Sequence, residues 1–257
     1  MELNMDFELL ISTMHKSIAE VLEMLKQSNV KCDVLVVVQG ETEGYEQLKQ
    51  NGQSIRVIFT KERGLSKSRN LALKYCSAEY GYIMDDDVVL DTNAIRNLVE
   101  VMETEGTDVA TCKYICKSGK YPKKYNKTKF SHTLLSAAKV SSIEICVNVN
   151  VIKDRGIEFD QLFGLGTSLP SGEEYIFVTD CIKSGLTVKY YPIMIGVHPD
   201  FTSGLDFYTD KNKILAKREM LKRVFGKKSI FFIIAFWLKK LNVTFKAGYT
   251  IRFTQFF

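Results

Sequence analysis

Three consecutive aspartates are the strongest chemical signal in this chain of 257 residues. Asp85, Asp86 and Asp87 directly follow the apolar run 82–84, which predicts a buried strand. Adjacent carboxylates repel one another unless a positive charge lies among them. In open α/β sheets ligands bind at the carboxyl ends of strands, and Mg²⁺ or Mn²⁺ commonly joins one or two carboxylates to substrate phosphates. The triplet therefore indicates a divalent-cation site, with a solvated acidic turn as the alternative.

A second signal is a basic helix start that lies one predicted strand upstream of the aspartates. In the segment 64–70 (GLSKSRN), a glycine precedes a predicted helix, with Ser66 as its N-cap. Lys67 and Arg69 are unfavourable in a first turn unless an anion lies there, because the helix dipole and the free N–H groups already carry positive charge. The segment indicates a phosphate contact, and the alternative is a basic surface turn paired with Glu62.

Two further candidates lie in the second half of the chain. Glu173 and Glu174 follow a glycine-rich loop at 162–172, and paired carboxylates at such a junction can include a general base. Acids are also common in the first turn of any helix. His198 follows a predicted strand and can serve as a metal ligand or a phosphate contact, although a lone histidine before proline is often structural.

The elements that must position these residues alternate between short apolar strands and helices. The sequence predicts strands at 7–11, 32–38, 55–59, 80–84, 141–152 and 188–192, helices at 17–27, 66–75, 93–103 and 173–184, and a mobile polar loop at 119–129. This alternation favours a parallel α/β sheet with helical crossovers, most clearly in the first 110 residues.

Taken in this order, the segments resemble glycosyltransferase family 2, the GT-A enzymes that use nucleotide-diphospho-sugars. The resemblance covers residues 5–200. The family pattern G-x-[SA]-x-[AS]-R-N matches 64–70, and its D-x-D pattern matches 85–87. Its E-D motif corresponds to Glu173-Glu174, with Glu in place of Asp, and its late histidine corresponds to His198.

The resemblance implies a role for each matching residue. The residues expected to contact the nucleotide-sugar are Ser12, Thr13, Gln39, Arg69, Asn70, Asp85 and Asp86. Those expected to hold Mn²⁺ or Mg²⁺ are Asp85, Asp87 and His198. Glu174 is the expected general base, and Glu173 is the second candidate catalytic residue. Gln39 departs from the family, which has an acid at this position.

The resemblance also implies a fold and an activity. We expect an α/β, Rossmann-like GT-A fold, with a mixed, mainly parallel sheet flanked by helices. Residues 1–210 would form the catalytic domain, divided into a nucleotide-sugar half (1–110) and an acceptor half (111–210). The expected reaction is inverting, metal-dependent sugar transfer to a glycan or lipid-linked glycan in surface polysaccharide synthesis.

Two alternatives to this activity stay open. A nucleotidyltransferase would share the sheet and the metal, but residues 1–16 lack the glycine- and arginine-rich signature that is usual there. A non-catalytic protein that binds sugar nucleotides is favoured by Gln39 and Glu174, the two departures from the family pattern.

The C-terminal tail, residues 211–257, differs in charge from the rest of the chain. It has 12 Lys/Arg and one acid (12 − 1 = +11), so the remaining residues carry 5 − 11 = −6. Residues 227–240 hold a ten-residue apolar block between two lysine pairs, which is too short to span a bilayer. The block suits a helix lying on an anionic membrane surface, and the alternative is a helix packed on the core. Nucleic-acid binding is not expected, because basic residues are not interleaved through the block.

The N-terminal segment and the cysteines indicate the compartment. Residues 1–12 carry acids where a signal peptide needs a basic flank, and no apolar run reaches the length of a membrane span. The six cysteines are scattered, without zinc spacing or the density of a disulfide scaffold. We expect a cytoplasmic protein that contacts the inner face of the membrane through its tail.

Overall fold

The computed structural model describes residues 7–14, 16–50, 52–200 and 210–246, which form ten strands and seven α-helices. The strands are β1 (Phe7–Thr13), β2 (Asp33–Gln39), β3 (Gly44–Gln50), β4 (Gln53–Thr60), β5 (Tyr80–Asp85), β6 (Val89–Leu90), β7 (Val109–Cys116), β8 (Phe130–Ser131), β9 (Ile145–Asn148) and β10 (Val188–His198). The helices are α1 (Ile18–Gln27), α2 (Leu65–Tyr75), α3 (Thr92–Thr104), α4 (Val149–Asp154), α5 (Glu173–Lys183), α6 (Lys211–Phe225) and α7 (Ser229–Lys246).

All ten strands belong to one mixed sheet with the order β3-β4-β2-β1-β5-β9-β7-β10-β6, and β8 pairs with β10. The ladders β4-β2-β1-β5 and β7-β10 are parallel, while β3, β6, β8 and β9 pair antiparallel with their neighbours. The predicted mixed, mainly parallel sheet with flanking helices is confirmed. Its parallel strands end at one edge, which carries the aspartates.

The sheet is buried on both faces because helices cover each side. Leu9 and Ile11 of β1 pack in one hydrophobic cluster, whereas Leu10 packs in the other. Residues of β2 alternate between the two clusters in the same way. This alternation explains why the strands read as continuous apolar runs, as is usual where both faces of a sheet are covered. Two cores therefore hold the edge in place from opposite sides.

Glycines introduce the two helices that begin at this edge. Gly64 precedes α2 with φ 129°, and Gly172 precedes α5 with φ 110°, a region that residues with a Cβ rarely adopt. At Gly172 a Cβ would also lie 2.9 Å from the sulfur of Met220. The chain can therefore turn sharply from a loop into each helix, which places the first helical turns at the sheet edge.

The structure corrects several sequence predictions. Gly64, rather than Ser66, is the N-cap of α2, and the Ser66 hydroxyl donates to the Phe163 carbonyl at 2.6 Å. The edge strand β3 has mostly exposed residues and was not predicted, because it lacks an apolar run. The predicted strand at 141–152 is a 3-10 turn (142–144), followed by β9 and α4. The Asn148 side chain ends this strand early, because it accepts the N–H of Val151 and caps α4.

Two helices form the described part of the C-terminal tail. Ile233 of α7 is buried in the same cluster as Ile214 of α6, and the Phe225 and Phe232 rings stack at 3.6 Å. The packed-helix alternative is therefore correct for one face of α7. Within the described residues, none of the helices has both the length and the hydropathy needed to cross a bilayer. The predicted tail residues 247–257 lie outside the described residues, as do 201–209.

Candidate active site

The structure brings most of the predicted site residues to one edge of the sheet. Asp85 ends β5, His198 ends β10, and Arg69 lies in α2. Glu173 and Glu174 form the first turn of α5. The candidate site is therefore assembled from both halves of the chain, at the carboxyl ends of parallel strands where α/β proteins bind ligands.

Arg69 is the centre of a buried ionic group that we call the Arg69 cluster: Arg69, Asp85, Glu173 and Glu174. Arg69 is only 3% exposed. Its Nη2 donates to Asp85 Oδ1 at 3.2 Å, and its Nη1 lies 3.4 Å from Glu173 Oε1 and 3.3 Å from Glu174 Oε1. Burial alone would lower the pKa of this guanidinium, but the three carboxylates outweigh it and raise the pKa. One cation thus holds together acids from β5 and α5.

The two glutamates of the Arg69 cluster differ in their access to solvent. Glu173 is 3% exposed, and its Oε2 is buried without a hydrogen-bond partner. Burial and the charge of Glu174 raise the pKa of Glu173 well above its usual range, although Arg69 opposes this shift. The Glu174 side chain is partly exposed. An acceptor hydroxyl can therefore approach Glu174 more readily than Glu173.

Asp86 connects the end of β5 to the end of β1 and the segment that follows it. Its carboxylate accepts the Thr13 hydroxyl, and its backbone carbonyl accepts the Lys16 ammonium group. The Lys16 Nζ also lies 3.6 Å from Asp86 Oδ1. Asp86 therefore joins two strand ends, and Lys16 adds a partly exposed cation to the site.

Asp87 and His198 form a second group, which we call the open pair. His198 Nε2 lies 3.7 Å from Asp87 Oδ1, and the Asp87 side chain is 41% exposed. His198 Nδ1 lies 2.6 Å from the Pro199 carbonyl, which can only accept, so Nδ1 carries the proton. In neutral His198, Nε2 then keeps a lone pair beside the carboxylate. Burial raises the pKa of Asp87 while His198 opposes the shift.

The open pair fits a divalent cation better than the full predicted ligand set does. Both oxygens of Asp85 are engaged, Oδ1 by Arg69 and Oδ2 by the Ser142 hydroxyl at 2.9 Å. Among the described residues, no three His, Cys, Asp or Glu side chains are gathered in a group suited to a metal ion. Asp85 therefore does not join the predicted ligands Asp87 and His198 in this structure. A carboxylate and a free imidazole nitrogen are suitable ligands for Mn²⁺. Mg²⁺ in proteins commonly completes its coordination with waters and substrate phosphates.

The three remaining predicted nucleotide contacts also make hydrogen bonds within the protein. The Ser12 hydroxyl accepts from Ser68 Oγ at 2.8 Å, and Gln39 Oε1 accepts the Gly64 N–H at 2.7 Å. The Asn70 amide both donates to and accepts from the backbone of Phe159. These bonds tie β1, β2 and the loop before α5 to the start of α2. Direct contact of these residues with a nucleotide stays a prediction.

The sequence indicated where the basic helix start lies, but not all of its partners. Lys67 pairs with Glu62 at 3.6 Å, as the surface-turn alternative expected, whereas Arg69 points inward. Sequence reasoning missed Lys16 and Ser142. Lys16 closely follows the predicted contacts at the end of β1, which is a usable signal. Ser142 gave no signal, because it lies in a segment that was predicted to be a strand.

The comparison with protein families assigns the chain to a class. The model of glycosyl transferase family 2 matches residues 12–157. That stretch is more than half of the chain and contains Arg69 and the three aspartates. The chain belongs to glycosyltransferase family 2. A comparison with curated proteins finds no match.

Solved structures of TarS from S. aureus have the same fold. A crystal structure of TarS 1–349 aligns with a TM-score of 0.61 at 17% identity, over 87% of this chain and 66% of that chain. The same fragment in complex with UDP-GlcNAc gives 0.61 at 18% identity, over 88% and 69%. A longer TarS structure gives 0.60 at 20% identity, over 92% of this chain but only 47% of that chain. The TM-scores show the shared GT-A fold, and at these identities the likeness shows the fold alone.

Proposed function

We propose that this protein is an inverting, metal-dependent glycosyltransferase. It moves a sugar from a nucleotide-diphospho-sugar to a hydroxyl of a glycan or lipid-linked glycan, in surface polysaccharide synthesis. The main observation that supports this proposal is that the open pair and Glu174 lie at one edge of a family 2 fold. Arg69 lies between Asp85 and Glu174 at that edge. The TarS complex with UDP-GlcNAc supports the choice of a nucleotide-sugar as donor. We assign residues 1–210 to the catalytic domain.

Asp87 and His198 would hold the divalent cation. When bound, the cation supplies positive charge to the diphosphate as it leaves with its negative charge. The Nδ1 bond from His198 to Pro199 keeps Nε2 directed to the open side of the pair. Lys16, partly exposed and next to Asp86, adds a second positive group near the leaving diphosphate.

Glu174 would take the proton from the acceptor hydroxyl as that oxygen attacks the anomeric carbon. A single displacement from the face opposite the diphosphate inverts the anomeric configuration. Arg69 holds the Glu174 carboxylate in place. Since Arg69 is enclosed by three carboxylates, we assign it this positioning role rather than a contact with the diphosphate. Glu173 supports Arg69 from the buried side.

A donor screen followed by two variants tests this proposal. Thermal shift with UDP-, GDP-, CDP- and dTDP-sugars, with and without Mn²⁺, identifies the donor, because a ligand that binds the native protein raises its apparent stability. With that donor, hydrolysis without acceptor and transfer to a glycan hydroxyl are then measured. Asp87→Asn is expected to abolish both reactions. Glu174→Gln is expected to reduce transfer by about 10²- to 10⁴-fold, the usual contribution of a general base.

The controls separate a catalytic loss from a folding defect. Both variants replace a partly exposed carboxylate by its isosteric amide, so their unfolding midpoints should stay close to that of the wild type. Glu103→Gln, on the exposed end of α3, provides the matched substitution away from the site. Wild-type transfer by Asp87→Asn or Glu174→Gln would remove that residue from the mechanism.

We also propose that α7 places the enzyme on an anionic membrane surface. Phe231 and Leu238 are 71% and 54% exposed, and they lie seven residues apart, on one face of the helix. Phe245, a further seven residues on, is also exposed. Lys227, Lys228 and Lys239 flank this face. An apolar face bordered by lysines matches the interface of an anionic bilayer, and it would suit an enzyme with a lipid-linked acceptor.

Substitution of the exposed face tests the membrane proposal better than truncation, because Ile233 of the same helix is buried in the core. Phe231→Glu with Leu238→Glu is expected to abolish co-sedimentation with vesicles that contain phosphatidylglycerol. Tyr45→Glu with Tyr75→Glu adds the same charge at exposed aromatic positions elsewhere and should sediment as the wild type does. Unchanged sedimentation of the α7 variant would exclude this face as the anchor.

A further inference from the structure

A cavity of about 300 Å³ lies beside the candidate active site, on the side of the sheet that faces α5. Residues 123–126 and 130–133 form one wall, and residues 136–144 contribute the other. The segment that includes residues 130–134 is fixed to α5, because the Tyr175 hydroxyl donates to the Leu134 carbonyl at 2.7 Å. Tyr175 directly follows Glu174, so the cavity lies next to the proposed general base without including it. Its volume is at the lower end of the range for ligand pockets and suits a single sugar ring.

The cavity has an aromatic wall whose hydroxyl groups are already occupied. The Tyr125 and Tyr190 rings are stacked at 6.3 Å, and Phe130 lies 5.1 Å from Tyr190. The Tyr125 hydroxyl donates to buried Glu144, and the Tyr190 hydroxyl donates to the Asn126 carbonyl at 3.1 Å. Apolar ring surface therefore remains for contact with a ligand, as in pockets that combine aromatic walls with a few polar groups.

The polar groups of the cavity leave an excess of positive charge. Three lysines (Lys123, Lys124, Lys139) and one acid (Glu144) line it. Lys123 Nζ lies 2.6 Å from Glu144 Oε2, and this pair is neutral overall. Lys124 and Lys139 form no ion pair with any described residue. Two exposed ammonium groups at the mouth of an aromatic cavity favour an anionic ligand.

His132 is an uncharged part of the same wall. Burial, assisted by Lys123, lowers the pKa of His132 to about 4, so the ring is uncharged at neutral pH. It is held by Thr111 at 2.7 Å and Ser136 at 3.1 Å. The hydroxyls of Ser131 and Thr133 also line the cavity. Because both ring nitrogens of His132 are engaged, the hydroxyls of Ser131 and Thr133 are the groups that we match with the hydroxyls of a sugar.

We propose that this cavity binds one sugar unit of the acceptor that carries a carboxylate or a phosphate, and that this unit is not the one that reacts. The inference rests on the proposed transferase activity, since it names the acceptor class. Lys124 and Lys139 bind the anionic group, and the aromatic wall contacts the ring. A neighbouring unit of the same acceptor then reaches Glu174 at the start of α5.

Direct binding to the free protein tests the site independently of turnover. Glucuronic acid, glucose 6-phosphate and glucose are titrated into the full chain by NMR, with and without saturating UDP. We expect the anionic sugar with the matching group to bind at least about tenfold more tightly than glucose, and UDP to leave this binding unchanged. Preference for glucuronic acid identifies a uronic acid, and preference for glucose 6-phosphate identifies a phosphorylated unit. Equal binding of all three, or displacement by UDP, would overturn the proposal.

A matched pair of variants assigns the binding to this cavity. Lys124→Glu with Lys139→Glu is expected to abolish binding of the anionic sugar. Lys120→Glu with Lys127→Glu makes the same charge change at exposed lysines of the same loop that do not line the cavity, and it should bind as the wild type does. Retained binding in the first variant would contradict the proposal. UDP binding measured on the same samples reports whether the donor site is intact. A loss of donor binding, which would count against the proposed function, is therefore distinguished from a loss of sugar binding in the cavity.

Discussion

The Arg69 cluster and the open pair lie at the same edge of the sheet but differ in access to solvent. In the cluster, Arg69 is enclosed and its guanidinium contacts three carboxylates. In the open pair, Asp87 is 41% exposed and its Oδ1 lies 3.7 Å from Nε2 of His198. A carboxylate that is already bound to a fixed arginine positions its neighbours, whereas an accessible one can bind a cation from solution. The difference separates acids that are held by Arg69, of which the partly exposed Glu174 is the one proposed to meet the acceptor, from the open pair, which can bind a cation.

Among the substitutions that test this difference, we expect the one at Arg69 to change the free energy of unfolding most. Arg69→Met leaves Asp85, Glu173 and Glu174 buried or half-buried without their common cation, which typically costs about 3–5 kcal/mol. Urea unfolding gives the change in the free energy of unfolding. The control is Arg63→Met, which removes an arginine paired with Glu41 on the surface and is expected to cost less than about 1 kcal/mol. Equal costs for the two variants would show that the cluster is not a structural unit.

A smaller effect, on the cation rather than on folding, is expected at His198. His198→Gln removes the imidazole nitrogen of the open pair, so the Mn²⁺ concentration for half-maximal donor hydrolysis should rise by about 10- to 100-fold. Saturating Mn²⁺ should restore much of the rate. The unfolding midpoint is measured alongside. A lower rate that Mn²⁺ does not restore, with an unchanged Mn²⁺ requirement, would remove His198 from the cation site.

A third effect, visible only when pH is varied, is a change in the pH dependence of stability at Glu173. Its pKa is raised in the folded protein by burial, so the folded state holds a proton that the unfolded state releases. This contribution is fully present below the usual glutamate pKa and is lost as pH rises toward the raised value. Glu173→Gln should therefore lose less stability than the wild type between pH 5 and pH 8, a range of about three units.

Urea unfolding at several pH values checks this prediction. Glu100→Gln, on the exposed face of α3, should follow the wild-type curve. A Glu173→Gln curve parallel to that of the wild type would show that Glu173 is charged when the protein is folded. It would then belong with the accessible acids rather than with the buried side of the cluster.

Apolar periodicity was sufficient to predict the central fold. β1, β2 and β5 are buried runs with clear ends, β4 is a half-buried apolar run, and Ser17 caps α1 through a capping box. The edge strand β3 was not predicted, because most of its side chains are exposed. The Asn51-Gly52 pair after it is nevertheless a typical hairpin signal. The segment 141–152 was misread because alternating valines suit a strand as well as a short helix. Local patterns thus predict buried strands better than edges and junctions.

The candidate site was predictable in position but not in its contacts. The order of the motifs along the chain predicted that Arg69, the aspartates and Glu174 share one site. Spacing alone did not show that Arg69 points inward, or that Arg69 and Ser142 engage both oxygens of Asp85. Those contacts depend on the turn at 141–144 and on the start of α5, which are far from the aspartates in sequence. The division between buried and accessible acids therefore needed tertiary structure.

We propose above that Asp87 and His198 hold the cation that neutralises the departing diphosphate. Anomalous diffraction from crystals soaked with Mn²⁺ and the nucleoside diphosphate that gives the largest thermal shift tests it directly. We expect an anomalous peak between Asp87 Oδ1 and His198 Nε2, in contact with the diphosphate. A bound nucleotide with manganese at another place, or with Asp87 and His198 free of metal, would contradict it.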